Sequence, residues 1–559
     1  LSRADASQKI EAGFDRAADA HERSDLITYG ALALFAAVLW FAFLPLRPLF
    51  NTDEGRYAEI PREMLASGDW AIPHLNGLLY FEKPPLQYWA TALSLSIFGR
   101  NELGARFYTA LCALGAVLAA AFAARRLWGP AAAMRTAALL PSMLLFLIMG
   151  QLLTLDMSLT AYMTAALAAF LAAQSADRRH ERLLMLVAWA ATALGVLTKG
   201  PVAAAIPGAV LVLYSLWSRD FSPWRRLHAA SGVALFLAIA LPWYLLAAHR
   251  VPGFLEFFFI HEHVARFLTP SAHREQVFWF FVPVLLLGSL PWTLPAVRSL
   301  CRGWRQRAAG FDPSLFLRLW VLFVLGLFSV SDSKLIPYVL PALPALALLA
   351  ASLPEEILDR DITWTAWLTV AVALALGLAC WLVPARVAPS DRSPYFLTLA
   401  RPLAEIAVLL AVSGVYVLAQ RRRGATRGAA FLGVGWCLAG LLLAQAAAGL
   451  APVYSGIELA RALPEPDAPV YSVGTYDQTL PFYWARTVRL VAYRGELDFG
   501  LMRDPLAEEP DIDRFIALWD GGPRAYAVME KKTFAELRDR HVPMREIAHD
   551  ANRVLVARP

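Results

Sequence analysis

Long apolar runs separated by short polar stretches occupy the chain from residue 26 to about residue 450; beyond that, short apolar segments alternate with many charges. A helix needs about 20 mostly apolar residues to cross the hydrocarbon core of a bilayer. Runs near that length lie at 26–46, 103–124, 131–153, 157–173, 183–197, 202–217, 230–247, 277–295, 315–330, 337–353, 363–384, 403–419 and 429–450. They predict about 13 transmembrane helices. Residues 86–98 are apolar too, but 13 residues are too few to cross. The first run is too long for the core of a cleaved signal and is expected to stay as an anchor. The pattern predicts a mainly α membrane protein with outer-face juxtamembrane helices. Its parts are a cytoplasmic N-terminal tail (1–25), a transmembrane domain (26–450) and a small extracytoplasmic α/β domain (451–559).

Charge fixes the orientation. If 86–98 does not cross, the loops holding Arg125/Arg126, Arg178/Arg179/Arg182, Arg219/Arg225/Arg226, Arg298/Arg302/Arg305/Arg307 and Arg421/Arg422/Arg423/Arg427 share a side with Arg3, Lys9, Arg16 and Arg23 of the N-terminal tail. If it crosses, one basic group must lie outside. The positive-inside rule selects the first arrangement, with the N-terminus in and the C-terminus out.

Composition agrees. Hydrophobic residues make up 58% of the 559-residue chain and charged residues 17%, against about 45–50% and 25% in soluble proteins. The net charge is +6, and residues 451–559 carry 14 Lys/Arg against 17 Asp/Glu, so the excess positive charge sits in the membrane half. That excludes a nucleic-acid binder, whose positive charge would cluster on a soluble face. Cys112, Cys301, Cys380 and Cys437 lie in or beside apolar segments and form no disulfide framework or C-x-x-C metal site. In the tail, 470–473, 488–493, 525–529 and 554–557 have strand composition, and 511–519 and 533–540 have helical periodicity with N-terminal caps. With no phosphate loop or nucleophile motif, the tail reads as a lid or docking domain.

This topology gathers the remaining polar features on the outer face: the loop 47–85, the turn at 153–158, Thr198-Lys199-Gly200-Pro201, the loop 248–276 and Ser331-Asp332-Ser333-Lys334. The chain has six lysines, and Lys83, Lys199 and Lys334 all fall there. Chemistry on that face has no cytosolic nucleotide to draw on, so no nucleotide cofactor is expected and an activated substrate arrives through the lipid. In the first loop, Asp53 stands where a helix should begin, where the helix dipole favours its carboxylate. Arg56, Glu59 and Glu63 follow on one face, and Tyr57, Ile60 and Met64 form an apolar stripe. That predicts a juxtamembrane amphipathic helix broken at Pro61. A solvated surface helix is the plain alternative, but charges beside bilayer-depth segments are costly unless they line a cavity.

The run Asp53-Glu54-Gly55-Arg56-Tyr57-Ala58-Glu59-Ile60-Pro61-Arg62-Glu63-Met64, followed by Phe81-Glu82-Lys83-Pro84-Pro85-Leu86 and Tyr88-Trp89, resembles the integral-membrane GT-C glycosyltransferases that use polyprenyl-phosphate sugars. Among them it is most similar to the ArnT-like branch, which adds 4-amino-4-deoxy-L-arabinose to lipid A phosphates. The likeness extends to Leu155-Asp156-Met157, Leu197-Thr198-Lys199-Gly200-Pro201, the Phe257–Ile260 run with His261-Glu262-His263, and Lys334-Leu335-Ile336-Pro337-Tyr338. The resemblance implies an inverting pentosyltransferase of the bacterial inner membrane. Undecaprenyl-phosphate-linked sugar and lipid A would be its substrates, and polymyxin resistance the consequence. A monomer among membrane lipids is expected. A protein O-mannosyltransferase-like enzyme is the nearest alternative, and a lipid exporter the non-enzyme one; an exporter leaves the outer crescent of charges unexplained.

Cleavage at the anomeric carbon leaves negative charge on the lipid phosphate, which Lys or Arg stabilises. Lys83, beside two prolines, is the first candidate and Arg56 the second; Lys199 and Lys334 are further phosphate contacts. Each lysine could instead be interfacial, reaching for water. The resemblance implies that Asp53 is essential, since related enzymes that glycosylate hydroxyls use this aspartate as general base or metal ligand. A phosphate monoester, with its second pKa near about 6, needs little deprotonation. Asp53 is then left to bind a metal, orient Arg56 or Tyr57, or pair with the sugar amine. Asp156 is the second carboxylate, or else the N-cap of its helix. Tyr57, Tyr80, Glu82 and Tyr338 complete the expected donor- and acceptor-binding set, with Arg266 and Arg274 gripping acceptor phosphates. A divalent metal, if used, would fall to Glu82 and His263; His261 and His263 diverge on a helix.

Overall fold

The structure is a computed structural model that describes residues 34, 37–265, 276–304, 310–382, 390 and 392–559. Among the described residues, eight helices are long and apolar enough to cross a membrane. They run over Glu102–Trp128, Leu155–Ala173, Arg178–Lys199, Ala229–Arg250, Pro313–Val330, Glu355–Leu382, Ser393–Ala419 and Ala425–Tyr454. Pro130–Ser142 and Leu144–Gly150, bent by 68°, make a ninth if taken as one span. The other runs fall on shorter pieces: Ala37–Leu46, Val202–Ser218, Ala342–Ala351, and Phe281–Gly288 with Thr293–Cys301. Prolines mark the interruptions. Pro141 stands at the bend, Pro291 between the two halves of 277–295, and Pro337 and Pro341 flank a 3₁₀ turn at Ile336–Val339. Leu86–Phe98 is a single 13-residue helix that lies between Asp53–Ser67 and Glu102–Trp128.

The first loop folds inward. Its helix, Asp53–Ser67, runs straight through Pro61 where a break was expected. Nine of its fifteen residues are buried, Glu54, Glu59 and Glu63 among them, so this is no solvated amphipathic helix. Packing on two sides, by Leu86–Phe98 and by a short helix of the tail, Thr479–Trp484, outweighs the one hydrogen bond that proline removes. The loop then forms a hairpin, β1 (His74–Leu75) and β2 (Leu78–Leu79). Its turn residues Asn76 and Gly77 both have positive φ, 57° and 76°, as a type I′ turn requires.

The tail is a six-stranded mixed sheet of β3 (Val470–Val473), β4 (Arg489–Val491), β5 (Glu508–Glu509), β6 (Tyr526–Glu530), β7 (Arg545–His549) and β8 (Arg553–Ala557), in the order β5-β4-β3-β6-β8-β7. β3 pairs in parallel with β4 and β6, β4 in parallel with β5, and β8 runs antiparallel to β6 and β7. β5 and β7 are the two strands that composition did not predict; both are edge strands, and β7 has little apolar alternation. The helices Ile512–Gly521, capped by Asp511, and Lys531–Asp539 agree with expectation. One sheet face packs Tyr471, Val473 and Val491 on Phe515, Trp519 and Leu537. The other packs Val470, Leu490, Tyr526, Val528 and Leu555 into one core with Tyr57, Ile60, Met64, Leu75 and Tyr80 of the first loop. Burial on both faces explains why β3 and β8 lack polar alternation. The tail is therefore no detachable lid: it completes the core of the first loop.

Candidate active site

Glu54 anchors the site from below. Its Oε1 accepts from Arg106 Nε at 2.7 Å, Arg47 Nη2 at 3.0 Å and the Leu153 amide at 3.1 Å. Its Oε2 accepts from Arg47 Nη1 at 2.7 Å, Arg106 Nη2 at 2.9 Å and the Phe50 amide at 2.9 Å. Burial opposes the charge, but Arg106 and Arg47 outweigh it and hold the carboxyl well below the usual range. Leu153 leads into the turn that carries Asp156, so one carboxylate ties the Asp53 helix to the Asp156 helix. Asp156 is not that helix's N-cap: the helix starts at Leu155 behind Thr154, and Asp156 is ion-paired with Lys199 from the end of the next helix. Lys199 Nζ also lies 4.8 Å from the centre of the Tyr338 ring and within electrostatic reach of Asp53.

Above Glu54, Asp53 lies 3.6 Å from Arg56 Nη1 and is half exposed. Arg56 is buried, ion-paired with Glu496 of the tail, and about 5.8–5.9 Å from the ring centres of Tyr57 and Tyr80. Burial penalises the Arg56 charge, but the acidic groups around it, Tyr80, Glu496, Tyr57 and Glu82, outweigh that and raise its pKa well above the usual value. Burial in turn raises the Glu496 carboxyl, against the pull of Arg56 and a hydrogen bond from Gln478. Three carboxylates, Asp53, Glu82 and Glu496, thus surround one guanidinium. The hydroxyls of Tyr80 and Tyr88 and Arg56 Nε are buried without a hydrogen-bond partner. Such groups are costly unless something else satisfies them.

Lys83 donates to the Glu82 carbonyl at 2.7 Å and lies 3.4 Å from Glu262. Glu262 comes from a π-helical stretch, Glu256–Ala265. There Glu262 is buried while His261 is exposed and stacks on Phe257. Lys334 is turned inward, donating to the Ser331 carbonyl at 2.6 Å, and has no described contact with the other candidates. Arg266 and Arg274 lie outside the described residues, and so does the side chain of His263. Among the described residues no three His, Cys, Asp or Glu side chains converge as a metal site. Asp156 and Glu262 each pair with a lysine, and the expected metal pair, Glu82 with His263, lies partly outside the described residues.

The sequence reading missed Glu496, Tyr88, Glu262, Arg47 and Arg106 as parts of this site. Arg106 carried a signal, a lone arginine inside an apolar helix. Glu496 carried none.

Paired carboxylates and cations beside the ends of apolar helices suit chemistry on a phosphate at a membrane surface. Known families make this specific. Residues 26–258 match the dolichyl-phosphate-mannose-protein mannosyltransferase family, and residues 457–558 the aminoarabinose transferase C-terminal domain. An undecaprenyl phosphate-α-4-amino-4-deoxy-L-arabinose arabinosyl transferase of Aeromonas salmonicida is 32% identical over 78% of this chain and 77% of its own. One from Sodalis glossinidius is 37% identical over 61% of each chain. The crystal structure of ArnT from Cupriavidus metallidurans bound to undecaprenyl phosphate superposes with a TM-score of 0.88 at 35% identity, covering 96% of this chain and 98% of that one. The chain belongs to the undecaprenyl phosphate-aminoarabinose arabinosyl transferase family: it is a multi-pass inner-membrane glycosyltransferase.

Proposed function

We propose that the chain moves 4-amino-4-deoxy-L-arabinose from undecaprenyl phosphate to phosphate groups of lipid A, with inversion, at the periplasmic face. One observation carries the reading: the Asp156–Lys199 pair stands at the ends of two apolar helices, with the Asp53–Arg56 and Lys83–Glu262 pairs on the loops that cover that end. The family names and the undecaprenyl phosphate in the Cupriavidus relative support it.

In the transfer, the bond from the anomeric carbon to the undecaprenyl phosphate oxygen breaks and its electron pair leaves on that oxygen. An acceptor phosphate oxygen forms the new bond from the opposite face. No base has to remove a proton, because the acceptor is largely a dianion at neutral pH. Lys83 stands beside the departing phosphate and stabilises its growing charge, with Lys199 as a second cation. The surplus of negative charge from Asp53, Glu82 and Glu496 over Arg56 suits a sugar that carries an ammonium group. Tyr80 and Tyr88 have hydroxyls to offer it.

Mass spectrometry of lipid A from cells with and without this chain tests the reading; unmodified phosphates in both would end it. Reporter fusions test the orientation. Fusions after Arg126 and Arg423 should report the cytoplasm and one after Pro559 the periplasm; a cytoplasmic C-terminus would put the site on the wrong face.

A further inference from the structure

Polar side chains buried between apolar helices are costly unless they pair. Gln87, Thr91, Thr109 and Ser158 are fully buried, and the transfer as described uses none of them. Gln87 and Thr91 come from the Leu86–Phe98 helix, Thr109 from Glu102–Trp128 and Ser158 from Leu155–Ala173. Gln87 joins all three helices. Its Oε1 accepts from Ser158 Oγ at 2.6 Å, and its Nε2 donates to Thr91 Oγ1 at 3.2 Å and to Thr109 Oγ1 at 3.5 Å. The Cys112 thiol, in hydrogen-bond contact with Ser158 and Tyr108, closes the cluster from the other side.

The place of the Gln87–Ser158 bond sets it apart from the others. Gln87 stands in the first turn of its helix, and only Pro84, Pro85 and Leu86 separate it from Lys83. The two proline rings fix φ and leave that stretch little slack. Ser158 stands in the first turn of its own helix, two residues after Asp156, which pairs with Lys199. Both helices pack on Glu102–Trp128 and make little contact with each other. The bond therefore joins the segment that carries Lys83 to the turn that carries Asp156. Glu54 does the same for the Asp53 helix through the Leu153 amide. Both partners are fully buried, so removing one leaves the other without water to replace it.

We propose that Gln87 is a positioning residue for the transfer: through Ser158 it sets Lys83 against the Asp156–Lys199 pair. The claim rests on the proposed role of Lys83 beside the departing phosphate. Gln87 touches no reacting atom. Its loss lets Lys83 drift from the oxygen on which charge develops, and a displacement of about 1 Å can cost on the order of 100-fold in rate. That added charge appears only as the bond breaks, so the loss falls on kcat and spares the KM for the donor.

The test compares the full chain in detergent with Gln87→Leu, Ser158→Ala, the two combined, and Thr91→Val. The last removes a buried hydrogen bond of the same amide but none to the Asp156 helix. Release of undecaprenyl phosphate and formation of glycosylated lipid A are both followed, with thermal unfolding alongside. Ser158→Ala removes a single oxygen atom, so it reads the bond even where Gln87→Leu does not fold. The expected result is a kcat at least about tenfold lower in each single break, with the donor KM within about twofold of the parent's. The double variant should be no slower than the slower single, because both remove one bond. Thr91→Val should unfold earlier than the parent and keep its kcat. A parent-like kcat in Ser158→Ala, or losses that multiply in the double variant, would overturn the claim. So would a Thr91→Val as slow as Gln87→Leu, since general loosening would then set the rate. Failure of the transfer reading looks different: the parent releases undecaprenyl phosphate but glycosylates no lipid A, and the variants' release rates then decide the role of Gln87. A parent that releases none would end both.

Discussion

Asp53 and Arg56 sit three residues apart in the first loop, yet their environments differ sharply. Arg56 is buried and its charge is engaged by Glu496, whereas Asp53 is half exposed and 3.6 Å from the same guanidinium. A long pair to a guanidinium already engaged by Glu496, with the carboxylate half in solvent, contributes about 0–1 kcal/mol to stability. Asp53→Asn should therefore leave the melting temperature nearly unchanged while abolishing transfer; wild-type turnover would remove Asp53 from the mechanism. The pH–rate profile separates its possible roles. With an ionised phosphate as nucleophile, the rate should rise through the acceptor's second ionisation near about pH 6. A single inflection near about pH 4, the ordinary aspartate value, unaffected by chelator, would instead make Asp53 a general base. Asp53, Arg56 and Lys83 were legible in the sequence because they lie in one short stretch whose charges had no cheap place beside a bilayer. Glu496 was not, because it approaches Arg56 only once the tail has folded onto a loop some 440 residues earlier in the chain.

The element that most constrains the site is the Asp53–Ser67 helix, held at its start by Glu54 and along its side by the tail. Removing one partner from a buried, hydrogen-bonded charge cluster costs about 3–5 kcal/mol. Glu54→Gln should lower stability by about that much and reduce transfer, since the turn carrying Asp156 loses its tie to the Asp53 helix. Glu54 has a depressed pKa in the folded state, so its contribution is present above the ordinary carboxylate range. It is lost only as pH falls through the depressed value. The stability gap between variant and parent should consequently stay constant over neutral pH and narrow only in strong acid; a gap that vanished near neutrality would contradict the assignment. Gly55 tests the other contact. A Cβ there would lie 2.5 Å from the backbone carbon of Gln478 and 2.6 Å from the Thr479 nitrogen. Gly55→Leu should push the tail away at a cost of about 1–3 kcal/mol, separate Glu496 from Arg56 and expose the seam to protease. Unchanged proteolysis and activity would show that the two parts need not touch. Pro61 shows where pattern reading failed: proline predicts a break in an isolated helix, and packing on two sides carried the helix through.

Across the whole molecule, the apolar runs beyond the first fall, among the described residues, on a helix or on two helix pieces, while 26–46 is described only in its second half, Ala37–Leu46. The pieces were not legible as pieces, because a hydropathy window averages over a proline bend. The tail's α/β character was legible from its strand composition, but its attachment was not. The face of β3, β4, β6 and β8 that meets the first loop is apolar like any sheet core, and nothing local says which surface will cover it. Tail, first loop and helix ends together place Lys83, Glu262, Asp53, Arg56 and Glu496 in one crescent, and the account stands on transfer from lipid phosphate to lipid phosphate in that crescent. The direct measurement is a single-turnover assay of the purified chain and of Lys83→Ala, with undecaprenyl phosphate-aminoarabinose as donor and lipid A as acceptor. Undecaprenyl phosphate and glycosylated lipid A are both followed. The expected result is equimolar release and transfer by the parent, a loss of at least about 100-fold in Lys83→Ala, as for removal of a group that stabilises developing charge, and partial recovery in Lys83→Arg. Donor cleavage without glycosylated lipid A, or an alanine variant as fast as the parent, would contradict it.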